Sequence, residues 1–184
     1  MSFRARITAP ERAICALRRW EGRHTVACEM CDSADRIEAG ENPFAIARLT
    51  TGYVTLCATQ YFQGYTFFAA SRCVREIYDL PVSERATHLH EMVEVAQALD
   101  RAFNPRKLNY EALGNGVPHL HWHLIPRYET DPHPRGPVWE DLNFLRQFWL
   151  GGAPPNEDTD EARRAILTQL RLGDVQIESE YVEV

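Results

Sequence analysis

An α+β fold, with a mostly antiparallel sheet and one long helix packed on it, is what this 184-residue sequence predicts. Three observations point there. Two β-rich runs, about 52–58 and 64–71, meet at a turn around Gln63–Gly64 and read as an antiparallel pair. An amphipathic helix follows over "SERATHLHEMVEVAQALDRAF". Two more extended runs, "KLNYEAL" and "HLHWHLIPRY", are then joined by a tight "GNGVP" connection. Helical extensions are expected at both ends.

The bulk numbers agree with one globular unit. An apolar fraction of 45% and a charged fraction of 25% support a sizeable core. The net charge of −6 argues against a nucleic-acid polymer as partner, since such surfaces gather Lys and Arg to release counterions. A nucleotide, with few charges, can still be met locally. No apolar run reaches the roughly 18 residues that span a bilayer, and the N-terminus lacks an apolar signal core. The expectation is a cytoplasmic protein with no membrane partner. Its five cysteines are then free thiols or metal ligands sooner than a disulfide framework.

In chain order, Thr8 to Glu11 reads as a capping box and Pro10 as a first-turn residue of a short helix ending near Gly22. This helix makes 1–24 an N-terminal extension. Residues 24–43 are polar and broken, and read as a loop carrying Cys28-x-x-Cys31. The strand pair comes next. On the long helix, Ser83 is the expected cap, Ala86, Leu89, Val93, Ala96 and Phe103 the expected buried face, and Asn104–Pro105 the stop. His88 and His90, two apart, read as surface residues. After Tyr128 a Pro-rich excursion begins, followed by a short helix over "DLNFLRQFWL" and a linker, "GGAPPNED". A last amphipathic helix has acids first and arginines later, as the helix dipole prefers. Residues 25–130 are thus the expected central domain, and 131–184 a C-terminal Pro-rich segment and helix.

The chemistry concentrates in "HLHWHLIPR". Strand side chains alternate faces, so His119, His121 and His123 line one side while Leu120, Trp122 and Leu124 line the apolar one. Imidazoles about 7 Å apart along a strand converge poorly on one metal ion. They suit a nucleophile flanked by two groups that contact an extended anionic substrate. Gly114 and Gly116 ahead of them allow a backbone cradle for phosphate. The plainer alternative is three exposed histidines on a polar sheet face.

"HLHWHLIPR" resembles the signature of the histidine triad (HIT) superfamily. The resemblance runs over about 25–130 and includes the Cys-x-x-Cys loop, the turn "FQGYTFFAAS" and "LNYEALGNGVPHLHWHLIPR". "LNYEALGNGVPHLHWH" with "PRGPVW" is most similar to a bacterial diadenosine-polyphosphate hydrolase-like branch. The resemblance implies the histidine triad fold and attack by His121 on the α-phosphate of a nucleotide conjugate or dinucleoside polyphosphate, through a nucleotidyl-histidine intermediate. It implies that His123 bonds the phosphate or bridging oxygen, that His119 orients the site, and that Asn109, Gly114, Asn115 and Gly116 bind the nucleotide. No cofactor is required for that catalysis. A homodimer is common among relatives.

The chain departs from the family at three places. Asn115 stands where several relatives have Gln. Tyr65 replaces the usual His of the turn. Cys57, near Thr59 and Gln60, falls where relatives place a ribose-binding acid or Asn, and a thiol bonds weakly. By the same resemblance, Cys28 and Cys31 form half of a structural zinc site completed by Cys73 and His119. Free thiols in a mobile loop are the alternative. His133, Arg135 and Trp139 are placed to reach the site from the Pro-rich loop; Trp139 either stacks on a base or packs, and Trp122 is structural. Two readings compete with the hydrolase or transferase: a catalytically weak nucleotide-binding regulatory module, and a histidine-ligated metallohydrolase.

Overall fold

A computed structural model describes residues 28–151 and 154–183. The expected helix near 8–22, and with it the extension 1–24, lies outside the described residues. The elements run α1 (Glu29–Glu38), β1 (Ala45–Leu49), β2 (Gly52–Leu56), β3 (Thr66–Ala70), α2 (Val82–Phe103), β4 (Lys107–Glu111), β5 (His121–Arg127), α3 (Leu142–Trp149), α4 (Glu157–Leu170) and β6 (Ile177–Glu180). One six-stranded sheet has the order β4-β5-β3-β2-β1-β6. Every neighbouring pair in it is antiparallel. The α+β expectation is met. Among the described residues, no helix is long and apolar enough to cross a membrane.

The alternation of β5 decides how the sheet is used. His121 lies opposite Ala69, and His123 opposite Phe67 on one side and Glu111 on the other. Cross-strand partners share a face, so these residues form one surface. Trp122 and Leu124, paired with Phe68 and Thr66, form the other. That second face packs on α2 and α4 through Val54, Phe68, Leu99, Leu124, Ile166 and Leu167. The first face is roofed instead by the segment after β5, where Val138 and Phe144 cluster with Cys57, Phe62, Tyr65 and Ile125.

Several expectations change. Residues 29–38 are helix and not loop, because Cys31, Ala34 and Ile37 recur on one side and are buried. β1 and β6 join the sheet although neither run has the β-rich signature of β2 and β3. α4 belongs to the main core. The long helix begins at Val82 after Pro81, so Ser83 sits in its first turn and does not cap it. It ends as expected, at Asn104 in the left-handed conformation.

The buried face of α2 is also rotated from the expected one. Leu89 and Val93 are exposed, while His88, Glu91, Met92, Val95 and Leu99 are buried. The cause is a polar wire that an apolar count cannot see. The Trp122 indole, which can only donate, bonds His88 Nε2 at 3.2 Å. The neutral ring therefore carries its proton on Nδ1 and donates to Thr51 Oγ1 at 3.0 Å. The Thr51 hydroxyl donates in turn to Glu91. The same carboxyl accepts the Thr50 and Thr51 backbone N–H groups at 2.8 and 3.0 Å. His88 is thus no surface residue; it fastens α2 to the back of β5.

The Pro-rich excursion is ordered by one buried guanidinium. Arg127 donates to Asp131 Oδ2 (2.8 Å), the Gly136 and His133 carbonyls (2.8 Å each) and Asn109 Oδ1 (3.2 Å). Its plane also lies over the Phe62 ring at 4.8 Å. A loop with few backbone bonds of its own is thereby pinned to the end of β5. α3 then starts at a true cap, Asp141, which accepts from the Asn143 and Phe144 N–H groups at 3.0 and 3.1 Å.

Candidate functional site

His121 and His123 stand side by side on β5, with Nε2 atoms 3.1 Å apart. Both are nearly buried, at 6% exposure each, so they are not an exposed polar row. Phe67 packs edge-on to each ring, and Trp139 packs edge-on to His123. Burial depresses the basicity of both. It lowers His121, and it pushes His123 to about 3, with His121 nearby contributing second. Both rings are therefore neutral at neutral pH.

Neutral rings make the proton positions readable. His121 Nδ1 lies 2.6 Å from the His119 carbonyl. A carbonyl can only accept, so Nδ1 bears the hydrogen and Nε2 a lone pair. That lone pair faces His123 Nε2, which is then the N–H donor. The Tyr65 hydroxyl lies 2.5 Å from His123 Nδ1. Tyr65 is fully buried, and burial raises its phenol above the usual tyrosine range, so it keeps its proton.

His119 leaves the row. It precedes β5 in a bend and turns to the other end of the site. Its Nε2 donates to the Ala70 carbonyl at 2.8 Å, which leaves Nδ1 bare. Nδ1 lies 3.4 Å from Cys28 Sγ and 3.7 Å from Cys31 Sγ. With Cys73, these atoms all lie within 4.8 Å of one another. A tetrahedral zinc would set sulfur–sulfur edges of about 3.8 Å and sulfur–nitrogen edges of about 3.6 Å, from bond lengths of about 2.3 and 2.1 Å. The two sulfur–nitrogen separations match such an ion, and Cys73, whose sulfur is disulfide-bonded here and so departs from the expected thiol, completes the set once reduced. The Cys28 thiol is also held well below its ordinary value, first by hydrogen bonding from Cys31 and then from His119, against the opposing effect of burial.

A cleft of about 290 Å³ opens beside the nucleophile candidate, lined among others by Arg75, Gly114, Asn115, His119 and His121. Gly114, which lines this cleft, has φ +64°, a conformation that side-chain-bearing residues reach only with strain. Arg75 is exposed and brings a cation that sequence reading passed over. Gly116 sits in the same loop but does not line the cleft. Asn109 lies on the histidine face opposite Ile125, two strand positions beyond His123, where it accepts from Arg127. Cys57 is buried in the cluster that holds Phe62, Tyr65 and Phe144, and burial raises its thiol to about 12. Of the Pro-rich residues, Trp139 reaches the site: it packs on His123 and donates to Glu111 Oε2 at 2.7 Å. His133 and Arg135 are exposed.

Residues 62–130 match the HIT domain family. Among solved structures, a histidine triad protein from Bradyrhizobium japonicum is 28% identical, with a TM-score of 0.54 over 73% of this chain and 92% of that one. One from Marinobacter aquaeolei is 26% identical, with a TM-score of 0.54 over 75% and 94%. A zinc-bound histidine triad family protein from Mycobacterium smegmatis, 18% identical, shares the fold with a TM-score of 0.54 over 79% and 94%. No curated protein matches the chain significantly.

Proposed function

Because the chain carries a HIT domain over residues 62–130, we propose that it is a nucleotide hydrolase or nucleotidyltransferase in which His121 is the nucleophile. One observation carries this reading: the bond from Nδ1 to the His119 carbonyl leaves Nε2 of His121 unprotonated, its lone pair held by the His123 N–H, on a residue that lines the glycine-loop cleft. The substrate is a nucleoside conjugate or dinucleoside polyphosphate. Its α-phosphate sits against the Gly114–Asn115 loop, with Gly116 behind it and Arg75 offsetting the charge of the outer phosphates. Asn109 supports the site from its strand through Arg127.

In the reaction the Nε2 lone pair of His121 forms a bond to phosphorus as the phosphorus–oxygen bond to the leaving group breaks. The positive charge gained by the ring is met at Nδ1–H by the His119 carbonyl. The His123 N–H, released from its bond to His121, turns to the departing oxygen. Water, or a second acceptor, then takes the nucleotide from His121.

Cys28, Cys31, Cys73 and His119 would hold a structural zinc that ties α1 and the strand-β3 exit to the His119 bend. Four protein donors leave no open coordination position, so the ion supplies rigidity and no catalytic water. No cofactor enters the chemical step. The metal is best tested on reduced protein, since each sulfur must be a thiolate to bind.

The test is incubation with a panel of adenosine nucleotide conjugates, followed by mass spectrometry of the acid-sensitive adduct. The expected adduct is on His121, and His121→Ala should lose both adduct and turnover. Full activity in His121→Ala would refute the mechanism. The second reading, a nucleotide-binding module with little turnover, draws on the burial of both rings under the aromatic roof. Tight binding with no single-turnover cleavage would favour it.

A further inference from the structure

Tyr65 forms its bond to His123 on the far side of the ring from the nucleophile. We propose that Tyr65 is a positioning residue that locks His123 as a neutral Nε2–H donor, so that the site favours leaving groups that depart as anions without needing a proton. The inference rests on His121 being the nucleophile and concerns which substrates that nucleophile can use.

The direction of every bond follows from which groups can donate and which can only accept. Among the described residues, the Tyr65 hydroxyl has one polar partner within bonding distance, His123 Nδ1. If Tyr65 accepted from that nitrogen, its own proton would be stranded among Phe67, Phe144 and Phe148. The bare Nε2 of His123 would also face the bare Nε2 of His121 at 3.1 Å. With Tyr65 donating, one line of bonds satisfies all the groups: Tyr65 O–H to His123 Nδ1, His123 Nε2–H to His121 Nε2, and His121 Nδ1–H to the His119 carbonyl. A doubly protonated His123 would break this line at Tyr65.

The leaving-group consequence is one of proton balance. A departing phosphate or polyphosphate oxygen carries off the bonding electron pair as a stable anion. It needs only the hydrogen bond that His123 Nε2–H offers. An amine expelled from a phosphoramidate must gain a proton as the P–N bond breaks. His123 could give one only by taking the phenolic proton of Tyr65, leaving a tyrosinate buried among aromatic rings. Nucleotide anhydrides are therefore the substrate class, and nucleoside phosphoramidates are poor substrates.

Three measurements on the full chain test this. Nitrogen-15 spectroscopy of the histidine rings at neutral pH should show the His123 proton on Nε2, and its Nδ1 signal should shift in Tyr65→Phe; a proton on Nδ1 overturns the proposal whether or not any substrate is turned over. Wild-type kcat/KM for diadenosine triphosphate should exceed that for an N-alkyl adenosine phosphoramidate by about 100-fold or more, the scale at which a missing general acid is felt. Equal values overturn the leaving-group inference while leaving His121 as nucleophile; cleavage of neither sinks the function reading, with the ring spectrum still deciding the role of Tyr65. Tyr65→Phe keeps the packing and should lower kcat on the anhydride about tenfold with KM little changed, whereas Tyr65→His, which restores a donor, should recover part of the loss. Unaltered kcat in Tyr65→Phe overturns the positioning role.

Discussion

Acid should unfold this protein through His88 before most carboxylates titrate. His88 is buried as a neutral ring, and burial, ahead of any neighbouring charge, lowers it to about 4 from 6.5. The unfolded chain binds this proton as the pH falls below 6.5, while the folded chain does so only near 4. The contribution of His88 is therefore present above 6.5 and is lost on going down to about 4. At roughly 1.4 kcal/mol per pH unit, the loss is about 3 kcal/mol. That is a large share of the 5–15 kcal/mol typical of a domain of this kind. Urea unfolding of wild type and His88→Gln, followed by tryptophan fluorescence at pH 7 and pH 4.5, isolates the effect. The variant starts less stable, because the Trp122 and Thr51 bonds are lost, but its stability should fall less with acid, by about 2–3 kcal/mol. His121 and His123 add the same trend to both proteins and cancel in the difference. Parallel losses in the two would refute a neutral His88 in the core.

Further outcomes follow from other parts of the structure. Metal analysis of protein purified under reductant should give about one zinc per chain, and Cys31→Ser should lose it and melt at lower temperature; well under one zinc in the wild type would reject the site. Arg127→Leu should cost about 3–5 kcal/mol in chemical unfolding, because Asp131 is left buried without its cation and the excursion loses its anchor. Gly114→Ala meets no clash but must hold φ near +64°, so a loss of about 1–2 kcal/mol and a raised KM are expected. Arg75→Gln should raise KM for a polyphosphate substrate several-fold with kcat nearly constant, since the residue lines the same cleft as His121 and supplies charge for binding and no group for the bond-breaking step.

The sequence by itself determined what depends on neighbours along the chain. A period of two in "HLHWHLIPR" set the strand and separated the histidine face from Trp122 and Leu124. Asn104–Pro105 stopped the long helix, and the Gln63–Gly64 turn paired β2 with β3. Only the tertiary structure decided what depends on partners far apart in sequence. His119 carries the same spacing as its fellows, yet it turns away because the Ala70 carbonyl on one side, and Cys28 and Cys31 on the other, bond its two nitrogens. His88 looks like a surface residue until Thr51 and Trp122 meet it across the core. Leu89 and Val93 look buried until the polar wire fixes the rotation of α2. β6 carries alternating half-buried and exposed residues, and its place is set by β1 and not by its own pattern. Tyr65 shows the division most clearly. The sequence marks it as a departure from a family pattern; the antiparallel register of β3 against β5 makes it the partner of His123. Local spacing fixes which face a side chain takes. Proton positions and roles at the site are set by hydrogen-bond partners that only the fold brings within reach.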